Sequence, residues 1–229
     1  MLEVRRLGSL RYREALALQQ TLVARRQAGN ISDVLLLVEH PHVVTMGVRA
    51  RNRLDNLLVP EVALDERGIE LVTAPRGGDV TYHGPGQIVG YPILDLRPDR
   101  CDVHRYVRDL EEVLIRTVAR FGVEAKRESG LTGVWVGENK LAAIGVRFSH
   151  WVTSHGFALN VTTDLSYFNL IHPCGIRDRG VTSLAQLTGS PPSLVEVQDV
   201  VAAELGSVFG RRLRSGALRQ GIDSSVVVL

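Results

Sequence analysis

Thr132-Gly-Val-Trp-Val136, then Gly137-Glu-Asn139, then Leu141-Ala-Ala-Ile-Gly-Val-Arg-Phe148 reads as a strand, a tight turn and a second strand. Trp151 to Val161 supplies a third strand directly after them. Strands this close in sequence suit antiparallel hairpins. Helical patterns flank the block on both sides. Upstream, Asp102 is placed to cap a helix with Val103, Tyr106, Val107, Leu110, Val113, Leu114, Val118 and Phe121 on one stripe, ended by Gly122. Downstream, Ser193 and Glu196 form a capping box after Pro191-Pro192, and Val197, Val200, Val201, Leu205 and Val208 follow at helical spacing. Near the N-terminus, Tyr12, Ala15, Leu16, Leu22 and Val23 share a helical face, with Gly29-Asn30 as the stop. Asp33 then leads into Val34-Leu-Leu-Leu-Val38, a strand expected to be buried on both faces and closed before Pro41. Residues 49–68 are mixed and polar and are expected to be loop. Without repeat, low-complexity segment or linker, the pattern predicts one α+β domain over residues 1–214 with a mixed sheet. Residues 215–229 fit no clear element and are expected to fray.

At 229 residues, 45% hydrophobic and 23% charged, the chain has the composition of a soluble globular protein with a substantial core. Its longest aliphatic run, Val34 to Val38, is far too short to span a bilayer. The opening Met1-Leu-Glu-Val-Arg-Arg has no apolar core of a signal peptide. With two cysteines, Cys101 and Cys174, no disulfide framework is expected, and both thiols read as reduced in a cytoplasmic protein. A formal net charge of +2 with scattered arginines gives no footprint for nucleic acid. Lys126 and Lys140 are the two lysines among 27 basic residues. Arginine keeps its proton in proteins and lysine can release it, so a lysine in so arginine-biased a chain invites a chemical explanation. Lys126 lies in the polar stretch Glu124 to Ser129, where a solvated role suffices; Lys140 does not.

Two segments stand out for chemistry. Arg76-Gly-Gly-Asp-Val-Thr-Tyr-His-Gly-Pro-Gly-Gln87 is too rich in glycine and polar groups for an ordinary core strand. Gly77-Gly78 allows close approach of a ligand, and Thr81, Tyr82 and His83 resume strand character. The spacing matches neither common phosphate loop, so a tight structural turn and a ligand-facing loop fit the composition equally. In Ile171-His-Pro-Cys-Gly-Ile176, Pro173 restricts His172 to extended geometry and Gly175 leaves space beside the Cys174 sulfur. A free cysteine is more often an inert small hydrophobe, so the segment alone is only suggestive. Cys101 is the poorer candidate, because Asp102 opposes any help from the helix it precedes. The seven histidines show no HExxH or CxxC spacing, and no metal or other cofactor is expected.

Cys174 and Lys140 are sufficient as a pair. A thiol with pKa about 8.5 is only a few per cent ionised at neutral pH, and bringing it to half ionised costs about 2 kcal/mol. An ammonium about 4 Å away supplies about 4 kcal/mol at an effective dielectric near 20, enough even if half is lost to desolvation. Arginine could supply the charge but could not later take a proton from an amine.

These segments together resemble the lipoyl(octanoyl) transferase family, with its biotin/lipoyl protein ligase-like fold. The resemblance runs through Glu39-His-Pro41, Arg76 to Gln87, Gly90-Tyr-Pro92, Thr132 to Val136, Lys140-Leu-Ala-Ala-Ile-Gly145, His155-Gly-Phe-Ala-Leu-Asn160, Pro173-Cys-Gly-Ile176 and Val181-Thr-Ser183. It implies transfer of octanoyl from acyl carrier protein to Cys174 as a thioester. The acyl group then passes to a lysine of a lipoyl domain, in the 2-oxoacid dehydrogenase complexes or the glycine cleavage H protein. By the same resemblance Lys140 lowers the thiol pKa and takes the amine proton. Arg76, Gly77, Gly78, Asp79, Val80, Thr81, Tyr82, His83, Ala143, Ile144, Gly145, Gly156, Phe157 and Ala158 would line the acyl pocket. A monomer without ATP or other cofactor is implied. Glycine backbone at Gly77-Gly78 is a candidate donor to the carbonyl oxygen; His83 fits a structural or pocket-lining place better than a proton carrier, and His172 fits local structure.

Two rival readings stay open. An ATP-dependent lipoate or biotin ligase would share the fold but need no nucleophilic cysteine, and no GRGRRG-like adenylate loop occurs. A non-catalytic acyl-binding module would need neither Cys174 nor Lys140. A peptidase or redox role for Cys174 is remoter still, lacking a resolving cysteine and an assignable histidine.

Overall fold

Val34-Leu-Leu-Leu-Val38 offers no polar face, so the strand containing it must be covered from both sides. The structure, a computed structural model describing residues 1–50, 55–173, 179–214 and 219–220, shows how. Strand β1 (Leu2–Ser9) leads into helix α1 (Tyr12–Gln27) and then β2 (Asp33–Glu39). Leu35 and Leu37 of β2 join the core under the later helices, whereas Val34, Leu36 and Val38 join the core under α1. The strand is thus buried on both faces, as its composition requires.

Next come β3 (Val43–Met46), the short helix α2 (Glu61–Asp65), β4 (Glu70–Thr73), β5 (Val80–His83) and β6 (Gln87–Ile93). Helix α3 (Val103–Ala119) precedes β7 (Lys126–Glu128), β8 (Leu131–Val136), β9 (Asn139–Ser149) and β10 (Val152–Asn160). A 3₁₀ segment (Leu165–Leu170), β11 (Gly180–Val181), α4 (Leu184–Thr188), α5 (Leu194–Phe209) and β12 (Arg219–Gln220) complete the described chain.

The large sheet runs β12-β1-β2-β6-β10-β9-β8-β7, with β11 beside the start of β9. It is mixed: β1 is parallel to both β2 and β12, while β8, β9 and β10 form the antiparallel meander read from the sequence. Helices α3 and α5 cover one face through Tyr106, Leu110, Val113, Leu114, Val197, Val201 and Leu205. Both capping predictions hold: Asp102 accepts from the Arg105 N–H, and Ser193 and Glu196 cap each other's backbone. Val103, placed on the α3 stripe by its spacing, is exposed at the first turn. A smaller sheet, β4-β3-β5, is backed by Phe168 and Leu170 of the 3₁₀ segment.

Three regions differ from expectation. Within residues 49–68, α2 replaces part of the expected loop; five residues behind Pro60 are too few to show a periodicity. Arg219–Gln220 pairs with β1, so the tail is not wholly without structure. Strand β6 was hidden by Gly90 and Pro92, which read as strand breakers. Both have a place. A Cβ on Gly90 would fall 2.1 Å from the Phe157 ring, so the ring occupies the space the glycine leaves. Pairing between β6 and β10 ends at Gly90↔Phe157, and Pro92 lies beyond it, its Cδ turned toward Gly156. Its missing N–H therefore leaves no ladder bond unmade there. Gly90→Ala forces the Phe157 ring out of the core, and an overpacking loss of about 1–3 kcal/mol is expected as a lower urea midpoint at unchanged m.

Candidate active site

Small residues on β9 and β10 create the site. Ala143, Ile144 and Gly145 lie opposite Ala158, Phe157 and Gly156 in register, leaving a trough on the α1 side of the sheet. The strap Arg76–Asp79 crosses over it. Val48 and Arg49 donate to the Arg76 and Gly78 carbonyls, and Gly47 donates to that of Asp79. The resulting slot, about 430 Å³ including its open mouth, is lined by these trough residues with Arg76, Gly78, Thr81, His83, Tyr12, Val89, Tyr91 and His155. Its mainly apolar wall with a few polar groups suits a small ligand with a long apolar part.

The polar wall of the slot is a connected chain of hydrogen bonds. Arg76, only 7% exposed, donates to Thr45 O (2.7 Å), Thr45 Oγ1 (2.8 Å) and Gly77 O (3.0 Å). Gln87 Nε2 donates to Asn160 Oδ1 at 2.9 Å, so Gln87 Oε1 faces His83 Nδ1 at 2.7 Å as an acceptor. His83 therefore carries its proton on Nδ1 and presents a bare Nε2 toward Thr45 Oγ1. Asn160 in turn donates to Thr182 O, and Thr182 N–H donates to Lys140 O. His40 is fixed likewise: Nδ1 donates to Leu10 O at 2.6 Å and Nε2 accepts the Tyr91 hydroxyl at 2.7 Å.

Burial governs the electrostatics. Desolvation lowers His40 to about 4, and lowers His83 to about 3 with help from His40. His155 is lowered to about 3 by desolvation and by the Arg76 and Arg147 charges. All three are neutral at pH 7, so His83 has no proton on Nε2 to give; its place in the wall is structural. Burial raises Tyr12 and holds Tyr91 well above its ordinary range.

Lys140 stands at one end of the slot. It is 6% exposed, its Nζ lies 4.8 Å from the Trp135 ring centroid, and its backbone is gripped by β8 on one side and β11 on the other. A small cavity at this end is lined by Lys140, Thr81, Gln87, Ala143, Ala158, Asn160, Phe168, Pro173 and Val181. Thr81, Ala143 and Ala158 line both this cavity and the slot, so the two adjoin. Cys174 lies outside the described residues. Pro173, immediately before it, borders the Lys140 cavity, and Ile171 bridges to Leu57. His172 N–H donates to Asn56 O, a structural contact.

The sequence-derived lining set divides. Arg76, Gly78, Thr81, His83, Ala143, Ile144, Gly145, Gly156, Phe157 and Ala158 face the slot. The side chains of Val80 and Tyr82 instead belong to the core behind the small sheet, with the Tyr82 hydroxyl on His42 Nδ1. Asp79 accepts from Asn56 and from the Val80 N–H. The Gly77 N–H is committed to Val146 O at 2.9 Å, which removes it as an oxyanion donor. Tyr12, Val89, Tyr91 and His155 were missed. The aromatic Tyr91 between Gly90 and Pro92, and His155 at the head of its own motif, were the available signals. Cys101 sits outside the slot, its Sγ near Leu96 O.

The family model described as the lipoyl protein ligase A/B catalytic domain matches residues 11–206. A protein of Solibacter usitatus named octanoyltransferase is 52% identical over 93% of this chain and 96% of its own length. Among solved structures, a lipoate-protein ligase A bound with ATP superposes with TM-score 0.74 at 16% identity, covering 98% of this chain and 90% of that one. An apo biotin protein ligase from Aquifex aeolicus superposes with TM-score 0.53 at 13% identity, covering 92% and 70%. The fold is therefore that of the lipoate and biotin protein ligases. The chain itself belongs to the lipoyl(octanoyl) transferase family of acyltransferases.

Proposed function

We propose that the protein moves an octanoyl group from acyl carrier protein, through a thioester on Cys174, to a specific lysine of a lipoyl domain. The observation that carries the reading is the small cavity lined by both Lys140 and Pro173, the neighbour of Cys174, which adjoins an apolar slot through Thr81, Ala143 and Ala158. The 52%-identical relative named octanoyltransferase supports the choice of acyl group.

In the first half-reaction the Cys174 thiolate attacks the donor thioester carbonyl, and the carbonyl carbon–donor sulfur bond breaks. Lys140 gives its proton to the departing donor thiolate. In the second, the acceptor amine attacks the Cys174 thioester, a carbon–nitrogen bond forms, and the now neutral Lys140 takes the proton from nitrogen. Cys174 leaves as thiolate beside a recharged Lys140, which restores the starting pair. A thioester exceeds an amide in group-transfer potential, so neither half-reaction draws on ATP. The octanoyl chain lies against Ala143, Gly145, Gly156 and Ala158. Lipoyl domains of 2-oxoacid dehydrogenase complexes and the glycine cleavage H protein are the expected acceptors, and the enzyme acts as a cytoplasmic monomer. No described helix is long and apolar enough to cross a membrane.

The test is intact-protein mass spectrometry after mixing the protein with octanoyl-acyl carrier protein, without ATP. A hydroxylamine-sensitive octanoyl adduct mapping to Cys174, discharged on adding a lipoyl domain, is the expected result. No adduct without ATP, together with octanoyl or lipoyl transfer from the free acid with ATP, would make the protein a ligase instead.

A further inference from the structure

Three cavities lie in a row along the β9–β10 ladder. At one end is the Lys140 cavity, bordered by Asn160, Ala158 and Ala143; in the middle is the slot, bordered by Ala158 to Gly156 and Ala143 to Gly145. At the other end, a wider groove opens to solvent between α1 and the sheet, bordered by Leu16, Gln19, Val23, Arg147, Ser149 and Ser154. One residue, His155, lines both the slot and this groove. Its ring meets Tyr91 edge-on at 6.3 Å and is the partition between them.

The partition is held in an unusual way. His155 is 2% exposed and adopts φ +54°, in the left-handed region that residues with a Cβ rarely enter. That twist interrupts the alternation of β10, so that Ser154, His155 and Gly156 all border cavity space in succession. Gln19 of α1 clamps the twisted backbone by accepting the His155 N–H at 2.8 Å. His155 Nδ1 and Gln19 Nε2 are buried and make no hydrogen bond among the described residues. A chain end reaching this point meets a polar ring and a buried amide after a run of apolar contacts.

We propose that His155, clamped by Gln19, is the end wall of the acyl slot and sets the longest acyl chain the enzyme accepts. The proposal rests on the acyl-transfer reading above and adds the residue that fixes substrate length. The dimensions agree. From Ala158 to His155 is three strand steps, about 10 Å at ~3.4 Å per residue. An extended octanoyl chain, with ~1.5 Å bonds in a zigzag, spans about 9 Å. A chain several carbons longer fits only if the wall is removed and its end passes into the groove beside Leu16 and Val23.

The variant of choice is His155→Gly, because glycine accepts the left-handed backbone that histidine strains to hold. His155→Asn is a second variant, since asparagine also tolerates that region and is shorter. Wild type and both variants, checked for folding by circular dichroism, are offered an equimolar mixture of octanoyl-, decanoyl-, dodecanoyl- and tetradecanoyl-acyl carrier protein, and the enzyme adducts are weighed. Wild type is expected to carry octanoyl predominantly. In His155→Gly the dodecanoyl-to-octanoyl ratio should rise about tenfold or more, the discrimination even one methylene can carry in an apolar pocket. His155→Asn should fall between. A wild-type profile retained in either folded variant overturns the end wall while leaving the transfer reading intact. No octanoyl adduct in wild type overturns that reading and the proposal with it.

Discussion

Cys174→Ala is expected to abolish octanoyl transfer, lowering turnover by about 10³-fold or more, as loss of a catalytic nucleophile does. Folding should be unchanged, since the substitution removes one sulfur from a small side chain. Lys140→Arg separates the charge of the lysine from its two proton transfers. Arginine preserves a positive charge but does not release a proton near neutral pH. Acylation of Cys174 should survive at a reduced rate, read as a burst of donor thiol, because the charge that favours the thiolate remains and a donor thiol of ordinary pKa about 8.5 can leave as thiolate and take its proton from water. Discharge to the lipoyl domain should slow by about 10²–10⁴-fold, the usual worth of a positioned acid or base. The acyl-enzyme should then accumulate and be visible by mass. Rapid discharge in Lys140→Arg would leave the lysine a purely electrostatic part. Full turnover in Cys174→Ala would remove the covalent mechanism altogether.

The charge in question is prepared by the fold. Lys140 lies against the Trp135 ring, where the quadrupole of the indole face favours a cation, in a site where water is scarce. Gly133, two residues before Trp135, has φ +126°, and a Cβ there would come 2.7 Å from Ala142 O. Its N–H is held by Glu111 Oε1, a fully buried carboxylate that also pairs with Arg108. The Thr132-Gly-Val-Trp-Val136 motif thus has a physical content. The glycine lets β8 lie close against β9, the tryptophan faces the lysine, and Glu111 of α3 pins the bend.

Much of this was legible in the sequence, for identifiable reasons. The β8–β9–β10 meander has strands long enough to show their pattern, and α3 and α5 carry their own caps. The all-apolar run of β2 can satisfy itself only between two layers. The elements that escaped are four-residue strands such as β3 and β4, too short for any period, and β6, whose Gly90 and Pro92 make sense only beside Phe157 and Gly156. The site divides in the same way. Residues in contiguous motifs (Arg76 to His83, Ala143 to Gly145, Gly156 to Ala158) were found together, though strand alternation sends Val80 and Tyr82 away from the slot. Tyr12 and Val89 reach the slot from elements distant in sequence, and nothing local marks them; Tyr91 is marked only by its place between Gly90 and Pro92. His155 escaped because a positive φ re-aims it, which no pattern of alternation predicts.

Acid should begin to destabilise the protein near pH 6.5, above the range in which its carboxylates titrate. His40, His83 and His155 are buried neutral, with folded-state values of about 4, 3 and 3 against an ordinary 6.5. Below pH 6.5 the unfolded chain binds three protons that the folded chain refuses, so stability falls as pH falls. The loss continues until the folded values are reached. Each histidine contributes about 1.4 kcal/mol per pH unit in that window, or about 4 kcal/mol per unit for the three. A net stability of about 5 kcal/mol, at the low end for a folded domain, would be consumed roughly one to two units below pH 6.5. Asp95, held below the usual carboxylate range by Arg97, should add to the loss only at more acidic pH. Urea titrations at pH 7, 6, 5.5 and 5 should therefore show a midpoint that drops steeply at unchanged m. Tyr12 stacks on His83 and His40 packs edge-on against both, with ring centroids 5.3–5.9 Å apart, so charging one ring weakens the wall that holds the others. His83→Gln keeps a hydrogen-bonding side chain but removes one titrating ring, and it should flatten the pH slope by about a third. A urea midpoint unchanged between pH 6.5 and 5 would mean that these rings are hydrated and titrate normally in the folded protein.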